Sequence, residues 1–187
     1  MKNIFIIITA LLLAACSSTD DSRASIANKH MNVLGDMEQF SPGTLHKINE
    51  APGFAIFNAG ELNLIFVSTG SGQGAVYNNI TGEKTYMDVV EAGVGLGVGG
   101  QNFSVVVIFN TEIAMQSFID RGWEFNEEAE ASAKTSATDG LVVGDLTFYR
   151  LTKTGLQAHL MLKGTHFSHN DDLNPKHKIA STKHITE

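Results

Sequence analysis

The chain has almost nothing with which to crosslink itself: among 187 residues there is one cysteine, Cys16. A single thiol excludes an internal disulfide framework and a thiolate zinc site, and once Cys16 is modified no cysteine nucleophile remains. Positive charge is also scarce. Thirteen Lys and Arg stand against twenty Asp and Glu, a formal charge of −7, which argues against nucleic acid as a general partner and against nonspecific adhesion to anionic lipid. No apolar run reaches the ~20 residues that a spanning helix needs. Catalytic signatures are missing too: there is no GxSxG elbow, no EF-hand spacing, and no carboxylate pair that stands out among the acids. Nothing looks assembled for catalysis, and no cofactor is implied.

What is present begins with the position of that cysteine. Lys2 precedes the apolar run Ile4 to Leu12, and Leu13-Ala14-Ala15 lead directly into Cys16. This is the layout of a secretory signal ending in small residues, and Leu-Ala-Ala-Cys matches a bacterial lipobox. The expectation is that residues 1–15 are removed and Cys16 is acylated. Several acyl chains at ~0.8 kcal/mol per buried CH₂ would anchor the protein almost irreversibly. An ordinary secretory signal with an incidental cysteine is the alternative. Ser17 after the cysteine, with no Asp there, points to the periplasmic leaflet of the outer membrane in a Gram-negative cell. Residues 16–22 then form a polar spacer, 23–174 one domain of ordinary size, and 175–187 a polar tail rich in His and Lys.

Within the domain, Ala24, Ala27, Met31, Leu34 and Met37 recur at spacings of three and four, predicting a helix with one apolar stripe. Ser41-Pro42 predicts a second helix start, with Leu45 and Ile48 buried and Pro52-Gly53 as the stop. From Gly53 the period is two. Phe54 and Ile56 fall on one predicted strand and Leu62, Leu64 and Phe66 on another, with Asn58-Ala59-Gly60 as the turn. Ala75–Tyr77 and Thr85–Val90 flank a hairpin turn at Thr81-Gly82, and Val105–Phe109 reads as a buried strand. Thr111 caps a helix ending before Gly122, and strands follow at Leu146–Leu151 and Leu156–Leu162.

Gly93, Gly95, Gly97 and Gly99 alternate with Val94, Leu96 and Val98. On a strand, one face would carry Val-Leu-Val and the other no side chain. Interior glycines weaken a strand, so the bare face must admit another backbone, a tight coil of the sheet, or a ligand such as an acyl chain or glycan. Gly70, Gly72 and Gly74 repeat the pattern, so the bare surface is expected to span two strands. These seven glycines are the candidate ligand-binding residues. Gly95 to Gly100 also fits GxGxxG, but no helix follows to receive a pyrophosphate.

Four of seven histidines lie near the end: His166, His169, His177 and His184, beside Asp171 and Asp172. His166, His169 and the two aspartates are weak candidates for Zn²⁺ or Cu²⁺, against a solvated polar extension. Glu124, Glu127, Glu128 and Glu130 read as a charged, solvated segment.

The order of features in Ala51-Pro-Gly-Phe-Ala-Ile-Phe57, the glycine-rich Ser68–Ala75, Ala92–Gly100, Gln101 opening an apolar strand, and Gly122-Trp-Glu124 resembles the SYLF lipid-binding domain family, in its bacterial lipoprotein branch. Val143–Leu151, Gly164-Thr165 and Asp171-Asp-Leu-Asn174 extend the resemblance to about Ala24–Asn174. It implies an α+β domain with a strongly curved, barrel-like, mainly antiparallel sheet, two N-terminal helices, one short helix between strands, and no catalytic role. Eukaryotic relatives bind phosphoinositide membranes and some fungal ones bind actin. Here the N-terminal stretch offers only Arg23, Lys29, His30 and Lys47 among acids. The family's usual Gly-Gly-Gly run is replaced by Leu64-Ile-Phe-Val-Ser68. The resulting expectation is a tethered module that holds a phospholipid or other amphiphile on its glycine-bare strands, with a structural adaptor for envelope proteins as the alternative.

Overall fold

The computed structural model describes residues 19–93, 97–136, 140–157 and 164–174. Cys16, Gly95, His177 and His184 lie outside the described residues. Two helices, α1 (Thr19–Phe40) and α2 (Thr44–Glu50), precede β1 (Gly53–Ile65), β2 (Val67–Asn78), β3 (Lys84–Gly93) and β4 (Gly97–Phe109). Then come α3 (Glu112–Arg121), β5 (Trp123–Glu124), α4 (Glu127–Ser132), β6 (Lys134–Ser136), β7 (Gly140–Val143), β8 (Leu146–Thr152), β9 (Gly155–Gln157) and β10 (Thr165–His169). The class is α+β, as expected, with two inserted helices where one was anticipated.

All ten strands join one sheet in the order β5-β10-β3-β2-β1-β4-β8-β7-β6, with β9 on β8, and every pairing is antiparallel. The sheet is curled. Trp123, at one end of the order, packs on Phe148 of β8 with ring centroids 4.6 Å apart. Its inner face holds a core of Ala55, Phe57, Val76, Met87, Val105, Val107, Phe148 and Phe167, plugged by Met115 and Phe118 of α3. The outer face carries Ile56, Val106, Ile108 and Tyr149, covered by Val33 and Met37 of α1 and Ile48 of α2.

The buried stripe of α1 is Ile26, His30, Val33 and Met37, shifted from the predicted one; Ala24 and Met31 face solvent. The shift follows from His30, a polar residue accommodated in the interface because its Nδ1 shares a 2.7 Å hydrogen bond with the Tyr77 hydroxyl. The second helix starts two residues later than Ser41-Pro42 predicts, at Thr44, behind Gly43 at φ +86°. Ser41 instead closes α1, donating its N–H to the Met37 carbonyl. Glu38 does the capping, accepting from the N–H groups of Gly43 and Leu45 at 3.1 and 3.3 Å.

Asn58-Ala59-Gly60 is not a turn: β1 runs unbroken for 13 residues, its Asn58–Gly60 stretch paired on both sides with β2 and β4. The glycine ladder is likewise not one strand. Gly93 ends β3 and Gly97 opens β4, and β1 and β2 lie between them. Four residue steps reach at most about 14 Å, and three strand spacings in a flat sheet are also about 14 Å. Only a curled sheet brings those strand ends within comfortable reach. The Thr81-Gly82 turn, the Thr111 cap on α3 (3.2 Å from the Ala114 N–H) and the stop at Gly122 are as predicted.

Candidate functional site

Strand alternation sorts the outer face of β3, β2, β1 and β4 into rows that run from the β1–β2 hairpin tip inland. Nearest the tip, Val98, Leu64 and Val67 are register partners. The next row is Gly100, Leu62, Thr69 and Ala92, then Asn102, Gly60, Ser71 and Val90, then Ser104, Asn58, Gln73 and Asp88. Polarity therefore rises steadily over four rows of one sheet face. At the tip itself Leu62, Leu64, Ile65, Phe66, Val67 and Val98 are between 47% and 81% exposed. These apolar side chains, gathered at one end, contrast with the isolated exposure of Met31, Phe40, Ile80, Val90 and Ile113.

The tip is also where the backbone is strained. Leu64 and Val67 pair across Ile65 and Phe66. Ile65 sits at φ +57°, the one non-glycine at positive φ among the described residues. A β-branched side chain there is disfavoured, and glycine or asparagine is the usual choice. Leu64–Ser68 is the stretch that stands in place of a glycine run in the resemblance above.

Inland of the tip lies a groove of about 530 Å³ lined by Gly60–Leu62, Thr69–Ser71, Gly100–Asn102 and the β8–β9 turn Thr152–Thr154. Beyond Gly60 and Asn102 it continues toward α1 past Asn58, Ser104 and Lys29. Glycines flatten its floor: a Cβ on Gly60 or Gly100 would meet nothing nearer than 3.4 Å. The wall is internally braced, since Thr152 Oγ1 donates to the Gly155 carbonyl at 3.1 Å. Asn58 Nδ2 donates to Ser104 Oγ at 2.9 Å, while Asn58 Oδ1 has no partner among the described residues.

Beneath the floor, on the inner face, the apolar core ends in a charge cluster. Arg150 Nη1 donates to both oxygens of Glu91 at 2.9 and 3.2 Å, and Nη2 to Glu61 at 2.7 Å. Thr165 also donates to Glu91, and Gln101 and Ser68 to Glu61. The guanidinium lies 3.6 Å from the centre of the Phe103 ring. Burial pushes the Glu91 carboxyl above its ordinary value, against the pull of Arg150 and Thr165. Burial acts upward on Glu61 as well, but hydrogen bonds from Gln101 and Ser68 and the charge of Arg150 outweigh it and hold that carboxyl low. The cluster ties β8 to β3 and β1 across the curl. Every carboxylate in it is engaged by donors, so its role is to hold the sheet closed.

The sequence-predicted glycines divide in two. Gly72 and Gly74 face inward, and a Cβ on either would strike the backbone and side chains of β1, at Asn58–Ala59 and Ile56–Phe57. The neighbouring strand fills that space. Gly70 also faces inward, beside Glu91, and its backbone borders the groove. Gly93, Gly97 and Gly99 lie at the tip end of the sheet, opposite Ser68, Ile65 and Asn63. The six of them that are described are thus not gathered on one face open to solvent. His166 stands on β10 opposite Val90 and Glu124. His169 is engaged by Asp171 at 2.8 Å and Asn174 at 3.0 Å, and no group of three or more metal-ligating side chains gathers among the described residues. Glu127, Glu128 and Glu130 lie in the first turn of α4, where negative charge suits the helix N-terminus. Sequence reasoning missed the Glu61–Glu91–Arg150 cluster and the apolar tip. Charged residues inside otherwise apolar strands were the available signal for the first, and Leu64–Val67, four consecutive apolar residues, for the second.

Compared with known proteins, the chain matches no family model. It is 27% identical over 127 residues to Beta cell expansion factor A of Aeromonas veronii. That match covers 67% of this chain and 48% of the relative, so the chain spans about half the length of the curated protein it resembles.

Proposed function

We propose that the protein is a non-catalytic, membrane-associated module of the SYLF type, which contacts membrane lipid or another amphiphile through the tip of the β1–β2 hairpin. One observation carries this reading: exposed apolar side chains gathered at Leu62, Leu64–Val67 and Val98, grading inland to polar ones on the same sheet face. A rim apolar at one end and polar at the other matches the profile of a bilayer interface. The similarity to Beta cell expansion factor A supports placement in the family. The leader and Cys16 support a lipid anchor, in the outer membrane's periplasmic leaflet if the cell is Gram-negative. No helix among the described residues is long and apolar enough to cross a membrane. The anchor would supply attachment and the tip would supply contact by the folded domain.

The test uses the full chain with Cys16→Ser, so that one new thiol can be labelled. An environment-sensitive fluorophore on Phe66→Cys should shift to the blue and gain intensity with phospholipid vesicles. The same label on Ile80→Cys, in the turn at the opposite end of β2, should not. A tip label that stays water-exposed on every vesicle would refute the reading. A shift produced instead by envelope protein would favour an adaptor.

A further inference from the structure

Of the residues lining the groove behind the tip, the ligand-binding patterns in the sequence touched only Gly70 and Gly100. Its lining is chemically consistent: uncharged donors and acceptors at Asn102, Ser71 and Thr69, two outward glycines that flatten the floor, and Lys153 on the turn that walls it. Glu61, the carboxylate at its edge, is already engaged by Arg150, Gln101 and Ser68. At about 530 Å³ the groove is within the range of small-ligand sites. It begins at Leu62, where the apolar rows end, so a lipid whose chains lie along the tip would carry its polar end into it.

Resting on the membrane reading above, we infer that this groove is a headgroup site for a glycerophospholipid whose headgroup carries a hydrogen-bond donor, ethanolamine or glycerol, with its phosphate toward Lys153. The donor requirement follows from the far wall. Asn102 Oδ1, an acceptor on the groove lining, lies beside Gly60. A site built to hydrogen-bond its ligand discriminates strongly against an analogue lacking that donor, because its own polar groups are left unmet. Choline, whose nitrogen is fully methylated, is such an analogue. Phosphatidylethanolamine and phosphatidylcholine carry the same net charge, so comparing them isolates the donor from electrostatic attraction.

The experiment titrates the Phe66→Cys-labelled chain with vesicles of phosphatidylcholine alone, or mixed with phosphatidylethanolamine or with phosphatidylglycerol. Half-saturation should come at about five- to tenfold less lipid on both mixtures than on phosphatidylcholine, the worth of one or two added hydrogen bonds. Gly60→Val, which projects into the groove from a position with room for a Cβ, should erase the difference while keeping the blue shift. Lys153→Gln, on an exposed turn, should raise half-saturation on all three. Soluble glycerophosphoethanolamine should compete only if the groove also takes the free headgroup, and its failure to compete assigns the site to membrane-borne lipid. Equal half-saturation on all compositions, or a preference that survives Gly60→Val, overturns the headgroup site and leaves the tip reading standing. A preference for phosphatidylglycerol alone that vanishes in salt reports surface charge and also overturns it. Absence of any blue shift refutes the membrane reading itself.

Discussion

Replacing Arg150 with methionine keeps roughly the volume of the side chain and its packing on Phe103, but removes the cation shared by Glu61 and Glu91. The side chains of Arg150, Glu91 and Glu61 are only 5%, 9% and 12% exposed, so neither carboxylate can recover its hydration without opening the sheet. Breaking a buried ion pair from one side typically costs about 3–5 kcal/mol, a fall in Tm of roughly 6–20 °C for a domain of this size. Urea unfolding followed by Trp123, the single tryptophan, which packs on Phe148, reads the change directly. The penalty has a pH signature. Burial already holds the Glu91 carboxyl above its ordinary value in the native protein, and without Arg150 it rises further. A carboxyl with a raised native pKa binds its proton more tightly when folded. The deficit of Arg150→Met should therefore be full at neutral pH and shrink as pH falls through the raised pKa toward the ordinary carboxylate range, about 4. Adding Glu61→Gln and Glu91→Gln should restore most of the loss at pH 7. A variant within about 1 kcal/mol of the parent at pH 7, where surface pairs fall, or a deficit as large at pH 4, would refute the assignment of this cluster as the clasp across the curl.

His30 is buried and neutral, its pKa lowered to about 4 by burial first and by the charges of Lys84 and Lys29 next. Its folded pKa lies below the unfolded one, so its contribution is complete above about 6.5 and falls away toward pH 4, by about 3 kcal/mol over that window; the stability difference between the parent and His30→Leu should narrow accordingly in unfolding curves taken across it. Gly72→Ala and Gly74→Ala drive a methyl into the β1 backbone and should each cost about 3 kcal/mol, the upper end of overpacking, in the same urea assay. Gly60→Ala, with only Asn102 Oδ1 near at 3.4 Å, should be neutral or stabilising by up to about 1 kcal/mol.

Local chemistry was legible in the sequence wherever it depends on residues close along the chain. Thr111 bonds to Ala114 and Gly122 adopts φ +71°, so the bounds of α3 could be read from capping chemistry alone. The Thr81-Gly82 turn and the apolar block Val105–Phe109 were readable for the same reason, turn geometry and buried-strand composition. The glycine alternation left a close backbone, a tight coil and a ligand slot open; at Gly72 and Gly74 it is the β1 backbone that presses close.

Tertiary structure decided the rest. Whether Asn58–Gly60 turns or continues depends on β4, some 45 residues away, which pairs with it and gives its backbone groups partners. The buried stripe of α1 depends on Tyr77, which meets the polar side chain of His30. Gly93 and Gly97 belong to different strands because two others intervene, and Glu61, Glu91 and Arg150 meet only because the sheet curls. The apolar tip was written plainly as Leu64–Val67, yet its exposure is a property of the hairpin's place at the end of the sheet, where no helix among the described residues covers it. Side-chain spacing along the chain specifies each strand's two faces; which face meets a core, a neighbour or solvent is set by partners that local sequence does not contain.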